Sequence, residues 1–415
     1  NQVSYGVLAL VLTTWLAGGA ILVAENLRHR PIHLGQKFGR MWAGVLAISG
    51  LVSISYWVIQ AGNLVALAKI RASTLQDVLG QVRQSENLLA DYYLVLFILL
   101  AVLAFVLAYR QPASAKVSRF LAGIPGLGLL LVALFLASYS NLRIVQADVA
   151  FKAAELFTQP KSWPVAIAIY QRANTLAPKE DYYDLFLGRA YLEYAKMISE
   201  EAERDRIISQ AAEDLKKAQR LNPLNTDHTA NLARLYNVWA NSSTDPELVQ
   251  KRARISETYF QAALKLSPRN ARLWDEWAML YLNVLNQPEK ALECIQTALD
   301  LDPSYDWSYA LLGDYYSRMA AAYQSDSQAQ KDALQNAAQS YQTALQKVGQ
   351  ENPQLRFSYT LALGSIQLQI GQLEAADQSL LLAYGLAQPE DRWRVLKRWG
   401  FFPSKKGSWT RLKII

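Results

Sequence analysis

The side chains able to carry acid–base, nucleophilic or metal chemistry are few. The 415 residues hold three histidines, His29, His33 and His228, and one cysteine, Cys294. Two of the histidines fall in Arg28-His29-Arg30-Pro31-Ile32-His33. Arg28, Arg30 and His33 could together grip a lipid-linked pyrophosphate, since the guanidinium fork matches phosphate geometry. An ordinary basic loop between two apolar runs accounts for the same residues and is the preferred reading. His228 follows Asn225-Thr226-Asp227, where a helix begins and where Thr226 or Asp227 is the natural N-cap. No second histidine or cysteine is near enough in sequence to build a metal set around it. Cys294 has no partner for a disulfide and reads as a buried structural thiol. There is no Gly-rich phosphate loop, no Gly-x-Ser-x-Gly and no His-Glu-x-x-His. The acid pairs Glu180-Asp181 and Asp275-Glu276 suit helix starts, where they favour the dipole. The sequence therefore assigns no catalytic residue, no metal site and no cofactor, and leaves open whether the chain is an enzyme.

What must be positioned is instead a surface, and the chain repeats the elements that would do so. Tyr170, Ala173, Leu176 and Pro178 form a phrase that returns as Leu215, Ala218, Leu221, Pro223. It returns again as Phe260, Ala263, Leu266, Pro268 and as Ile295, Ala298, Leu301, Pro303. The prolines are 45, 45 and 35 residues apart. Weaker copies lie at Tyr341/Ala344 and before Pro389. A large residue, an alanine and a leucine three apart mark one helix face, and the proline ends the helix. Before each phrase runs another helical pattern with a small residue among aromatics: Gly188 before Tyr191, Ala233 before Tyr236, Ala278 between Trp277 and Tyr281, Gly313 before Tyr316. This pairing resembles the tetratricopeptide repeat, whose first helix carries a Trp-x-x-Leu-Gly-x-x-Tyr pattern. The resemblance implies an α-solenoid of about six helix hairpins over 141–389. Two units exceed the family's period of about 34 residues, with the extra length expected around Ser199–Ile207 and Asn241–Gln250.

Charge is distributed unevenly. Residues 1–140 carry 10 Lys/Arg and 4 Asp/Glu, residues 141–390 carry 24 and 30, and the last 25 residues carry 8 Lys/Arg against Asp391 alone. Acidic repeats exclude a continuous basic stripe and so argue against nucleic acid. Four apolar runs, 5–24, 41–61, 92–109 and 120–140, approach the ~20 residues needed to cross a bilayer. They predict a transmembrane domain over 1–140, with an amphipathic helix in the loop 62–91. Basic residues in loops 25–40 and 110–119 orient those loops inward. The expectation is thus an all-α protein: four transmembrane helices, then the solenoid, then a capping helix and basic aromatic tail over 390–415. It would sit as a multi-pass protein in a bacterial cytoplasmic membrane, with the repeats extracytoplasmic. Trp393 and Trp399 are expected to seal the last repeat.

Carrying the family's register over, the resemblance implies that the concave groove is lined by Tyr182 and Arg189, Asp227 and Arg234, Arg272 and Asp275, and Trp307 and Asp314. Aromatic anchors mixed with both charge signs suit an extended peptide or helix, although some of these residues could pair with one another between repeats. Residues 141–320 also resemble the C-terminal part of bacterial O-antigen ligase-like membrane proteins that carry such repeats, notably through 180–190 and 221–235. Two function classes follow. One is a membrane-anchored scaffold or accessory subunit that binds a protein partner in a membrane complex, in contact with membrane lipid. The other is the back portion of a glycan ligase or polymerase acting on a lipid-linked glycan, with its catalytic loop before Asn1.

Overall fold

The computed structural model describes residues 50–51, 54–65, 74–109, 135, 141–159, 161–403 and 409–411. The chain divides into two compact units, residues 1–153 and 154–415. In the first unit, helix α1 runs from Leu75 to Tyr109. Thr74 and Asp77 start it with a reciprocal cap. The Thr74 amide donates to Asp77 Oδ2 (2.9 Å), and the Asp77 amide donates to Thr74 Oγ1 (3.2 Å). Gln146, on helix α2 (Arg143–Thr158), donates to the Glu86 carbonyl of α1 (3.2 Å). Tyr93 donates through its hydroxyl to Asn141 (2.7 Å).

These observations correct the membrane architecture. Residues 75–91 of the expected amphipathic helix and the expected span over 92–109 are parts of one 35-residue helix from Leu75 onward; residues 62–65 are helical and 66–73 lie outside the described residues. Its charged residues, Asp77, Arg83, Glu86 and Asp91, all lie in its first half. Among the described residues, no helix is long and apolar enough to cross a membrane. The four-span fold is overturned on that finding, and the multi-pass membrane placement falls with it. Runs 5–24, most of 41–61 and nearly all of 120–140 lie outside the described residues, as do Arg28, Arg30 and His33.

The second unit is built of helix hairpins. Helix α3 (Trp163–Leu176) precedes five pairs: α4/α5 (Asp181–Ala195, Glu201–Leu221), α6/α7 (Thr226–Asn241, Pro246–Leu266), α8/α9 (Ala271–Leu280, Pro288–Leu301), α10/α11 (Asp306–Ala322, Gln328–Lys347) and α12/α13 (Pro353–Ile370, Leu373–Leu386). The expected first pair is not a pair within this unit, because α2 falls largely in the first unit. A short helix α14 (Arg392–Arg398) and a two-stranded ribbon, β1 (Phe401–Pro403) with β2 (Trp409–Arg411), follow. The extra length of the long repeats lies in the 21-residue helices α5 and α7 and the loops before them.

The repeated phrase acts at two levels. Locally, the residue after the leucine leaves the helical region, with φ near −135°, and its amide donates to the phrase's alanine carbonyl. Ala177, Asn222, Ser267 and Asp302 each make that bond, to Ala173, Ala218, Ala263 and Ala298, at 2.9–3.1 Å. The chain then turns back. Glu180, Asn225, Asn270 and Tyr305 donate to the carbonyls of those same four capping residues at 3.2 Å, with proline next after each capping residue, where a type I turn favours it. In packing, the large residue and the alanine go inward. Tyr170, Leu215, Phe260 and Ile295 are buried, as are all four alanines. The leucine is not core: Leu221 is 40 % and Leu266 38 % exposed.

Each large residue lies on the small residue of the partner helix. A Cβ added at Gly188 would stand 2.7 Å from Leu215 Cγ, and one at Gly313 would stand 2.9 Å from the Tyr341 ring. At Gly364 it would meet Leu380 Cγ at 2.9 Å. Ala233, Phe260, Ala278 and Ile295 share one core cluster. Gly188→Leu and Gly313→Leu are therefore expected to destabilise the protein by about 1–3 kcal/mol each. Gly385→Ala, exposed on α13 with nothing within 4 Å of its added Cβ, is expected to be neutral or slightly stabilising. Urea unfolding of the three variants checks both; equal midpoints would contradict the contact.

Candidate functional site: the wall of first helices

Successive first helices, α4, α6, α8 and α10, approach one another more closely than successive second helices do. They therefore form the inner, tighter wall of the stack. Aligning them on Gly188, Ala233, Ala278 and Gly313 sets one register for the wall. Tyr182, Asp227, Arg272 and Trp307 share one position, and Arg189, Arg234, Met279 and Asp314 another.

The eight residues expected in the groove separate into three groups. Tyr182 is 46 % exposed and its ring lies 4.5 Å from that of Phe186, while the Arg189 guanidinium sits 5.1 Å above the same Phe186 ring. Asp227 and Arg272 are exposed, and Trp307 is half-buried, edge-on to Tyr305 at 6.1 Å. Arg234 is committed within the wall. Its Nε donates to Glu276 Oε2 (2.6 Å), while Arg272 donates to Glu276 Oε1 (2.9 Å), so one carboxylate ties α6 to α8. Asp314 is likewise engaged, accepting from the Tyr341 hydroxyl at 2.5 Å.

Asp275 is not in the groove. It stands at the core position occupied elsewhere by Leu185, Ala230 and Ala310, and is fully buried. Ser308 Oγ donates to its Oδ2 (2.6 Å), and its Oδ1 has no partner. Burial, only partly offset by the Ser308 hydrogen bond, pushes its carboxyl up to about 7.

The sequence reading missed two further polar anchors. Glu276 was legible through its i,i+4 spacing from Arg272. Asp184 carries no comparable signal: fully buried, it accepts from Lys217 on α5 (2.9 Å) and from Asn174 on α3. The capping assignment also shifts. Asn225, not Thr226 or Asp227, caps α6, accepting from the Asp227 amide (3.0 Å). His228 is buried and donates through Nε2 to Asp181 Oδ2 (2.6 Å). Desolvation alone would raise the Asp181 carboxyl, but hydrogen bonds from His228 and Asn222 outweigh it and hold it below its usual value. Cys294 is buried, and burial pushes its thiol up to about 12, away from nucleophilic chemistry. Among the described residues there is no group of His, Cys, Asp or Glu that could hold a metal ion.

The Asp275 carboxyl makes stability depend on pH. Between its unfolded value near 4 and its folded value of about 7, the folded chain binds the proton more tightly. Stability is thus expected to fall as pH rises through that window. Asp275→Asn keeps the acceptor for Ser308 and removes the charge. Its urea midpoint should match the parent near pH 4, exceed it at pH 8, and decline less between them.

No family model matches the sequence, and no curated protein matches it either. Solved structures do show likeness in chain path. A thermophilic TPR protein from Thermus thermophilus is 18 % identical over 52 % of this chain and 98 % of its own, with a TM-score of 0.41. PilW, a widely conserved type IV pilus biogenesis factor, is 15 % identical over 60 % of this chain and 98 % of its own, with a TM-score of 0.42. Pseudomonas aeruginosa PilF is 15 % identical over 61 % and 98 %, with a TM-score of 0.39. The O-antigen ligase-like resemblance has no counterpart among these structures. The second unit's assignment as a stack of tetratricopeptide-like hairpins rests on its own repeated turns and small-on-large helix contacts.

Proposed function

We propose that the wall of first helices is a docking surface for an extended segment of a protein partner. The observation that carries this reading is Tyr182, a large aromatic left 46 % exposed on the inner wall, with Phe186 and Arg189 grouped beside it. Exposed aromatics and arginine are the residues that dominate typical interfaces. Trp307 offers a second aromatic at the same register position three hairpins further on. The bridge made by Arg234, Glu276 and Arg272 lies between them and keeps the wall rigid, which lowers the ordering cost of binding. Buried carboxyls and the buried thiol are taken up by packing, which favours binding over catalysis. No described residue favours the glycan-ligase alternative.

Site-specific photo-crosslinking in cells tests the surface. A crosslinking amino acid at position 182 or 307 should capture the same polypeptide, and one at Gln261, exposed on the second helix α7, should not. Tyr182→Ala with Arg189→Ala should sharply reduce capture from position 307, since interface hot spots contribute about 2 kcal/mol or more. Equal capture from all three positions, or none from 182 and 307, would sink the reading.

A further inference from the structure

Helices α12 and α14, with Tyr341 of α11, line an open cavity of about 800 Å³. One wall is the inner face of α12, with Ser358, Leu361, Ser365 and Gln369. Ser358 stands at the register position of Tyr182 and Trp307, and Ser365 at that of Arg189 and Asp314. The cavity is therefore the C-terminal end of the same inner wall. The facing wall is α14. Trp393, Arg394, Lys397 and Arg398 recur at i, i+1, i+4 and i+5, so they share one face and line the cavity. Val395, on the other side of α14, is fully buried against a cluster that includes Leu380 and Ala383. Trp399 closes that side, donating to Asp377 Oδ1 (2.5 Å).

The orientation reverses the expected role of Trp393. It does not seal the last repeat but stays 51 % exposed at the cavity. Three cations line the space and no carboxylate does. Arg394 is held by Asp391 (3.2 Å) and lies 5.8 Å from the Phe357 ring. Among the described residues, no carboxylate forms an ion pair with Lys397 or Arg398. The floor is apolar, with Leu361, Ala362 and Ile366, and the far wall carries the serine hydroxyls and the Gln369 amide. A cavity this size holds a few residues of peptide or one drug-sized molecule. The occupant it fits has an apolar side chain beside one or two negative charges.

We propose that this end pocket receives a short acidic peptide segment of the partner, its carboxylates on Lys397 and Arg398 and an adjacent apolar side chain on Leu361 and Ile366 beside Trp393. The proposal rests on the docking reading above and specifies the chemistry of one end of it. The arrangement gives direction as well as affinity, because further along the wall Arg234 and Arg272 are already paired with Glu276. An extended partner segment would be fixed with its acidic part at α14 and would run from there towards α4.

The test uses the full chain and a fluorescein-labelled hexapeptide, acetyl-Gly-Asp-Leu-Glu-Phe-Asp-amide, with a control in which Asn and Gln replace the acids. Six extended residues reach roughly 20 Å, enough to fill the pocket. Fluorescence anisotropy should show saturable binding of the acidic peptide that weakens as salt rises, and none of the neutral one. Lys397→Glu with Arg398→Glu, both at exposed positions, should weaken binding by about tenfold. Ser358→Glu, which puts a negative charge on the opposite wall, should do the same and decides the matter should the double variant misfold. Gln261→Glu, on the exposed face of the second helix α7, should leave hexapeptide binding unchanged, and because crosslinking at 182 and 307 is a separate readout, a failed crosslinking experiment and a failed pocket are told apart. Equal binding of both peptides, or binding indifferent to both sets of charge variants, overturns the proposal. Co-sedimentation with phosphatidylglycerol vesicles that depends on Lys397 and Arg398, with no peptide binding, also overturns it and identifies a lipid surface instead.

Discussion

The second unit depends on one contact, a large side chain of one helix resting on a residue of the other that has almost no side chain. Leu215 on Gly188, Tyr341 on Gly313 and Leu380 on Gly364 leave less than 3 Å for an added Cβ. Such a contact fixes the distance between two helix axes more narrowly than general apolar packing does, because interiors do not absorb extra volume cheaply. Once each pair is set, the proline turns fix where one pair ends and the next begins. The inner wall, and everything proposed to bind there, inherits its geometry from those two constraints.

Polar groups buried between hairpins add a second layer of specification. Ser308 with Asp275, His228 with Asp181, Glu276 with Arg234 and Tyr359 with Asp306 (2.8 Å) each join a hairpin to its neighbour in the stack. A buried polar group left without its partner is costly. A hairpin shifted along its neighbour would strand several of these groups at once.

Much of this was legible in the sequence, for reasons that differ by element. The phrase ending at Pro178, Pro223, Pro268 and Pro303 revealed the second helices because proline and alanine serve local roles that hardly vary. The glycines of the first helices were legible because close contact tolerates almost nothing else. The leucine of the phrase shows how far spacing reaches: it marks a face but not its depth, and Leu221 and Leu266 lie at its edge. Asp275 misled because a charged residue near a helix start reads as surface, whereas its register is that of Leu185 and Ala310. Hydropathy over 92–109 suggested a separate span but could not show that α1 begins at Leu75 with its own cap. The end pocket was invisible because it joins Ser358 to Arg398, and no local pattern reports which face of α14 turns back on α12.

The loops at the far ends of the long hairpins bear on how the chain can be divided. Arg204, near the start of α5, donates to the carbonyls of Ile198 (3.2 Å) and Ser199 (3.3 Å) in its own loop and to that of Ser242 (2.8 Å) in the next hairpin's loop. Asp205 beside it accepts from Trp239 (2.7 Å) and from Arg252 (2.7 Å), whose guanidinium lies 4.3 Å from the Trp239 ring. The sequence repeat is cut naturally after each proline, but these side chains are shared across that cut. Excising α4/α5 from α6/α7 would leave two loops with exposed carbonyls and an aspartate without its arginine. The module that evolution can copy or a protein engineer can transplant is therefore larger than the single repeat that the prolines delimit.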